Sequence, residues 1–526
     1  MRRENYLIGV GFISIMMILA GCKKKDPPTV VTSEVTEVTI STAIAGGNVT
    51  NDGGAEVTAR GICWSTTELP TTSDNYTSDG TGTGSFTSNL AGLTEGTTYH
   101  VRAYATNSEG TSYGEEVSFS TTPTTTATLT TAAATSITTT SCVTGGNITN
   151  DGQLEITARG VAWGTSHDPV IEGNHTTDGT GPGEFSSNLT GLTEATAYYV
   201  RAYATNSKGT SYGNEISFTT VTPVVATLTT TQVSDITPAT MVSGGNITND
   251  GGTPVTERGV CWNISPNPTI EHNKTTEGAG SGIFTSNITG LSAGTIYYVK
   301  SYATNKTGTA YGNEIKIITS ISDVEGNLYR VIEIGNQLWT AGNLITTKYR
   351  DNTPIPQVAD SITWMNLTTP AYSWYRNNSA NKPLGALYNW FTVQTGNLCP
   401  NGWHVPSNSE FQTMEVAAGV PADSVALWGW RGTGVGTKLK DTIGWSVNTG
   451  TNVLGFSAIG SGYRAWNNSE FRARHEIVYF WSSTDDAINA KPEVAYYRRL
   501  DGSNHFIYKA TTGKAGGKSV RCVKNQ

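Results

Sequence analysis

GGNVTNDG at residues 46–53 returns as GGNITNDG at 145–152 and again at 244–251, so the chain repeats itself every 99 residues. The shift holds at every other landmark. ARGICW (59–64), ARGVAW (158–163) and ERGVCW (257–262) obey it, as do YHVRAYATNSEGTSYG (99–114), YYVRAYATNSKGTSYG (198–213) and YYVKSYATNKTGTAYG (297–312). Solenoid repeats run roughly 20–50 residues and depend on their neighbours for a core. A unit near 100 residues is long enough to close a core of its own, so the copies read as beads on a string.

Within each copy Thr, Ser, Gly and Asn dominate, and apolar residues come in short alternating runs. Val101, Ala103 and Ala105 alternate with Arg102, Tyr104 and Thr106, the period of a strand with one buried face. Turn signals such as N-D-G, D-G-T-G and E-G-T separate these runs, and no long helix-period stretch interrupts them. The pattern predicts antiparallel β-sandwiches over 29–122, 127–220 and 226–319, and 321–526 is an unrelated, Trp-rich domain. The chain is thus expected to be multidomain and mainly β.

The stretch GLTEGTTYHVRAYATNSEGTSYG (92–114) resembles the region of fibronectin type III domains in which a tyrosine bonds back to a strand corner. Tyr99, Tyr198 and Tyr297 stand at the matching positions. The resemblance implies that Trp64, Trp163 and Trp262 are core residues. The earlier strands leave an immunoglobulin-like variant open.

The amino terminus sets the expected address. Arg2 and Arg3 precede an apolar run from Tyr6 to Ala20 that ends in Leu19-Ala20-Gly21-Cys22, too short for a comfortable membrane span and followed at once by charge. It resembles a bacterial lipobox, which implies a signal peptide over 1–21 and lipid on Cys22. Residues 22–28 then read as a tether. Lys24 stands where Asp would favour inner-membrane retention, and Lys followed by acid resembles part of an export signal of surface lipoproteins. The expectation is a lipid-anchored protein of the bacterial outer membrane, exposed at the cell surface.

Residues 321–526 hold ten of the thirteen tryptophans. Their first segment reads as a hairpin around Gly326-Asn327, then a strand and a turn at Gly335-Asn336. Ser407 to Ala418 reads as a helix, with Ser407 or Ser409 as N-cap and Phe411, Met414 and Glu415 at helical spacing. IGNQLWTAGNL (334–344), GALYNW (385–390), LCPNGWHVPSNSEF (398–411), GFSAIGSGYR (455–464), YFWSST (479–484) and SVRCVKN (519–525) follow in order. Through these stretches the segment resembles the Fibrobacter-type major paralogous domain, a family of extracytoplasmic bacterial domains similar in fold to C-type lectin-like domains and to formylglycine-generating enzymes, which implies an α+β, C-type lectin-like fold for 321–526. The resemblance implies structural roles for Trp339, Trp403 and Trp481. It carries no established activity.

Of the six cysteines, Cys22 is assigned to lipid and Cys399 with Cys522 to a disulfide, natural in an oxidising envelope compartment. Cys63 and Cys261 occupy equivalent positions that the middle copy fills with Ala162, which suggests small buried residues and not a metal site. Cys142 has no cysteine counterpart.

No motif gathers the seven histidines into a metal or catalytic set, and Gly80, Gly82 and Gly84 resemble a dinucleotide loop only superficially, since no helix follows and the segment sits inside a β-repeat. A formal charge of -8 leaves no footprint for nucleic acid. A calcium-dependent sugar site needs clustered carboxylates and amides; Lys491-Pro492-Glu493 and Trp481-Ser482-Ser483 do not supply the pattern, and Asp485 and Asp486 read as solvated loop residues. A formylglycine-type oxidase needs a reactive thiol pair that the disulfide uses up. No catalytic residue, metal or cofactor is therefore expected.

What remains is a recognition surface of loops on a rigid core. The candidates are Trp428, Trp430 and Arg431 in one loop and Arg464, Trp466 and Asn467 in another, because they pair indole faces with guanidinium or amide donors. Indoles stack on sugar rings, and Trp and Arg are also enriched at protein interface hot spots. Domains of about 13 Å radius of gyration joined by Thr/Pro-rich segments could hold such a head on the order of 100 Å from a membrane. The reading is a surface binding or adhesion protein for extracellular polysaccharide or a surface protein. Its alternatives are a structural envelope component and an accessory protein that presents polysaccharide. Exposed aromatics in a row would favour glycan.

Overall fold

The computed structural model describes residues 24–447, 450–486 and 491–525. Cys22 and the apolar run before it lie outside the described residues. The chain divides into two compact units, one ending at Thr222 and the other running from Pro223 to Gln526.

The chain is mainly β, with the three copies folding as antiparallel sandwiches. In the first, Thr29–Thr32, Thr42–Asn51 and Gly84–Ala91 form one sheet, with Thr42–Asn51 central. The other sheet orders Asn75–Tyr76, Ala59–Ser65, Thr98–Asn107 and Gly110–Tyr113, and Val117–Ser120 also pairs with Thr98–Asn107. Asn75–Tyr76 joins Ala59–Ser65 and not Gly84–Ala91. This is the division of a fibronectin type III sandwich, distinct from the four-plus-three sheets of a constant immunoglobulin domain.

The repeated block explains itself in this setting. A side chain at Gly46 would meet the Phe86 carbonyl oxygen at 2.6 Å, and one at Gly47 would meet Ala103 Cβ at 2.5 Å. The paired glycines thus let this strand approach both its sheet neighbour and the opposite sheet. In the turn that follows, Asn51 Oδ1 accepts from Gly53 N at 2.9 Å, and Gly53 sits at φ +71°, where only glycine is unstrained. Each tyrosine hydroxyl accepts a backbone N–H five residues upstream: Tyr99 from Thr94 at 3.0 Å, Tyr198 from Thr193 at 2.9 Å and Tyr297 from Ser292 at 3.1 Å. Cys63, Ala162 and Cys261 are buried as small core residues. Trp262 is buried, whereas Trp64 and Trp163 pack against their cores from partly exposed positions.

Within the second unit, the third sandwich and the terminal domain share a packed joint. The Trp403 indole lies where a side chain at Gly294 would stand, 2.7 Å from that position, and Lys524 Nζ donates to the Gly294 carbonyl at 2.7 Å. Lys316 pairs with Glu333 across the same joint.

The terminal domain carries two main sheets. One orders Val331–Ile334, Gln337–Thr340, Val523–Lys524 and Trp403–His404; the other orders Gly429–Arg431, Ile507–Gly513, Lys491–Asp501, Ile477–Asp486, Ser461–Arg464 and Phe471–Arg474. Turns fall at Gly326 and Gly335, both at positive φ. Cys399 and Cys522 form the disulfide and tie the last strand to the middle of the domain. Trp339, Trp403 and Trp481 are all buried.

Helix Asn408–Ala418 is N-capped by Ser407 in a full capping box with Glu410. It buries Phe411, Met414 and Glu415. Burial opposes ionisation of Glu410, but hydrogen bonds from His404 and from Ser407 prevail and hold its carboxyl down at about 2. Its hydrogen bond in turn raises the His404 imidazole above its ordinary value, against partial burial. The Glu410 contribution is present above its unfolded value of about 4.3 and is lost as pH falls toward 2; that of His404 is present below about 6.5 and is lost as pH rises through its folded value. Urea unfolding across pH 3 to 9 is expected to show a stability increment centred between these limits, and Glu410→Gln is expected to flatten it.

Candidate ligand-binding surface

The six-stranded sheet presents two different faces because its strands alternate. Val478, Phe480, Arg498, Leu500 and Ile507 point to the core beneath helix Asn408–Ala418. The intervening residues point the other way, and the register sets them side by side. Trp430 stands opposite Tyr508, Tyr508 opposite Arg499, and Arg499 opposite Tyr479. Tyr497 occupies the next position along the same face, opposite Trp481.

The rings form a row that crosses five strands. Successive centroids lie 4.9 Å apart from Trp430 to Tyr508, 6.2 Å to Tyr497, 5.0 Å to Tyr479 and 4.7 Å to Tyr463. Trp430, Tyr508, Tyr479 and Tyr463 all keep some exposure, while Tyr497 is nearly covered. Arg499 rides over Trp430 at 5.3 Å and over Tyr479 at 5.7 Å, with its charge matched by Asp501.

Beyond Tyr463 the chain turns, and Trp466 projects with 51% of its surface exposed. One side of its indole rests on Gly513, where an added Cβ would lie 2.8 Å from the ring. Trp466 and Asn467 separate two hollows. On one side is a recess of about 190 Å³ bounded by Tyr463, Tyr479, Tyr497 and Lys518; on the other is a cleft of about 900 Å³. Met365, Leu367 and Phe391 give the cleft apolar walls, and Asn366, Glu493 and Lys514 place polar groups at it. Apolar walls with a few polar groups are the usual make-up of a ligand site.

The six residues singled out by sequence separate in space. Trp466 and Asn467 are exposed at the two hollows, and Trp430, at 38% exposure, begins the aromatic row. Trp428 is exposed too, yet its ring lies 5.4 Å from Tyr496 on the opposite face of the sheet. Gly429 at φ +82° makes that crossing between the two tryptophans.

The two arginines are not ligand donors. Arg464 is fully buried: Nε donates to Ser469 Oγ at 2.8 Å, Nη1 to the Val358 carbonyl at 2.7 Å and Nη2 to that of Ala359 at 2.8 Å. Its guanidinium lies 4.2 Å from the Trp364 ring centroid and 4.9 Å from that of Phe471. Arg431 is buried in an ion pair with Glu415, 2.7 Å from its Oε2, and Glu415 also binds Arg498. Polar loops demanded internal donors, and these guanidiniums meet the demand. Asp485 and Asp486 are not loop residues either. Both lie in strand Ile477–Asp486; Asp485 pairs with Lys514 at 3.2 Å, and Asp486 is buried. Among the described residues no group of three or more His, Cys, Asp and Glu is placed to hold a metal ion.

The motif stretches thus lie in the disulfide, the buried tryptophans and the strands beneath the aromatic row. Residues 332–524 match the family model described as the Fibrobacter succinogenes major domain. No curated protein matches the chain. Among solved structures, the FN1–FN3 domains of chicken CNTN1 are 14% identical, with 56% of this chain and 98% of that one covered at a TM-score of 0.20. Domains A168–A170 of titin are 16% identical, with the same two shares covered at a TM-score of 0.23.

Tyr463, Tyr479, Tyr497, Tyr508 and Lys518 escaped the sequence reading. The available signal was alternation: Tyr479-Phe480-Trp481 and Tyr497-Arg498-Arg499 place aromatic or cationic groups on both faces of a strand, more than a one-sided core requires. In the terminal domain Gly513 decides the Trp466 pose. Its backbone is ordinary, so Gly513→Val is expected to leave the fold intact while displacing the indole. In a Trp428→Phe, Trp430→Phe background, where Trp466 is the most exposed indole left, the iodide-quenchable part of the tryptophan emission should shift and increase.

Proposed function

We propose that this protein is a lipid-anchored cell-surface binding protein whose terminal domain binds polysaccharide. The observation that carries the reading is the aromatic row that runs from Trp430 to Tyr463 and continues to the exposed Trp466 between two hollows. Its rings are Trp and Tyr, which offer an apolar face together with a polar edge. A glycan chain presents alternating apolar ring faces and hydroxyls. Asn366, Thr368 and Asn467 at the cleft are suited to those hydroxyls. The β-sandwich repeats supply the spacer between anchor and head, and the lipobox ending in Cys22 supplies the anchor. Binding, and not catalysis, is the role for which these residues are arranged.

The test is binding of the purified protein, residues 24–526, to plant, host and bacterial polysaccharides with and without chelator. Saturable, chelator-insensitive binding is expected. Trp466→Ala should weaken it by about 30-fold, the equivalent of about 2 kcal/mol for a central aromatic anchor. Absence of binding across the panel would turn the reading toward a structural envelope component. The anchor has its own check: Cys22→Ser is expected to abolish incorporation of labelled fatty acid and to release the protein from the outer-membrane fraction.

A further inference from the structure

Lys518 stands out within the aromatic surface because nothing described there neutralises it. Its backbone is fixed by reciprocal hydrogen bonds with Tyr388, at 3.0 and 2.9 Å. Its side chain enters a box of rings, with Nζ 4.4 Å from the Tyr479 centroid, 4.9 Å from Trp481, 5.2 Å from Tyr497 and 5.7 Å from Tyr463. The residue is 3% exposed and lines the 190 Å³ recess beside Trp466. No described carboxylate, carbonyl or hydroxyl accepts a hydrogen bond from Nζ.

The neighbouring cations are already matched. Arg472 pairs with Glu470, Arg499 with Asp501, and Lys514 with Asp485. The recess therefore contains one amine without a counter-charge. Ring faces attract an ammonium, but they do not replace its lost hydration. An incoming carboxylate supplies both the missing acceptor and the missing charge.

We propose that the recess beside Trp466 is a subsite for the carboxylate of an acidic sugar residue, received by the Lys518 ammonium while Trp466 stacks on the sugar ring. The proposal rests on the polysaccharide-binding reading and names the class of sugar. A single amine matches a monoanion; a phosphate dianion would bring a second negative charge into the recess without a partner.

Binding at such a subsite is linked to protons. Burial lowers the Lys518 amine to about 7, so part of the free protein carries it neutral at physiological pH. A bound carboxylate favours the ammonium and draws in a proton. The titratable groups facing it are the phenols of Tyr463, Tyr479 and Tyr497, with Tyr388 on the paired segment and Arg472 at the rim. Burial raises the Tyr479, Tyr497 and Tyr388 phenols above their ordinary range, which keeps them protonated through neutral pH. Lys518 is thus the group whose charge changes.

The experiment is calorimetric titration of the full chain with oligomers of galacturonate, glucuronate and mannuronate, each beside its neutral methyl ester, from pH 6 to pH 9. For at least one pair the acid is expected to bind about tenfold tighter than the ester at pH 6. Above the amine's value its affinity should fall by up to about tenfold per pH unit, with proton uptake visible as a buffer-dependent enthalpy. The ester should show neither effect. Lys518→Met, close in volume, is expected to remove the acid's advantage and leave ester affinity in place. Equal, pH-independent binding of acid and ester, both lost on Trp466→Ala, would overturn the acidic subsite while leaving polysaccharide binding standing. Failure of acids, esters and the neutral panel alike would overturn both.

Discussion

Buried guanidinium groups hold the terminal domain together. Between its short strands the chain runs through long irregular segments, whose carbonyl groups have no ladder to join. A buried carbonyl without a donor is unfavourable, and a guanidinium offers five N–H groups in one plane. Arg521, fully buried next to the disulfide, donates to Asn343 Oδ1 at 2.8 Å and to the carbonyls of Thr340, Phe456 and Ser457 at 3.0, 2.8 and 3.1 Å. Its faces lie over Phe456 and Phe480. One side chain thus joins the start, the middle and the end of the domain where covalent linkage joins two of them. Closing a loop of that length stabilises a fold by roughly 4–5 kcal/mol through the unfolded chain, and the guanidinium fixes which folded arrangement the closure leads to.

The candidate surface inherits its rigidity from a second such group. Arg464 collects the carbonyls of Val358 and Ala359 and packs on Trp364, whose next residues, Met365 to Leu367, form a wall of the large cleft. Two residues beyond Arg464 the chain turns out, and Trp466 stands at the rim. The same short segment therefore anchors one wall and projects the ring that faces it. Rings held this way lose little freedom on meeting a ligand, which is how a few aromatics can contribute strongly.

The sequence made the modular plan legible because a repeat advertises itself at every landmark. The tyrosine corner, the Ser407 cap, the two glycine turns and the disulfide were readable for a related reason: each depends on residues a few positions apart or on a residue type with one plausible use. The aromatic row was not readable. It is assembled from Trp430, Tyr463, Tyr479, Tyr497 and Tyr508, five segments brought together by a strand order that does not follow the chain. Arg431 and Arg464 show the converse difficulty. Beside an indole, a guanidinium that recognises a ligand and one that satisfies buried carbonyls have the same local sequence, and the choice depends on how much unpaired backbone the surrounding loops leave. Trp428 and Trp430 look like a pair along the chain, yet the positive φ of Gly429 sends them to opposite faces.

The choice of ring type separates this face from an ordinary core. On the side beneath the helix the sheet packs Phe480, Val478, Leu500 and Ile507, side chains without polar atoms, and its buried cations answer to the domain's own groups: Arg431 and Arg498 pair with Glu415, and Lys509 donates to the Ala426 carbonyl at 2.8 Å. On the other side every ring in the row is Tyr or Trp, and the cations Arg499 and Lys518 lie against them. Packing alone gives no reason to prefer a phenol to a phenyl, since each buried hydroxyl must then find a partner. A surface that meets water in one state and a hydroxylated ligand in another does give that reason. Half-burial with a polar edge serves both states, and a fully apolar face would serve neither.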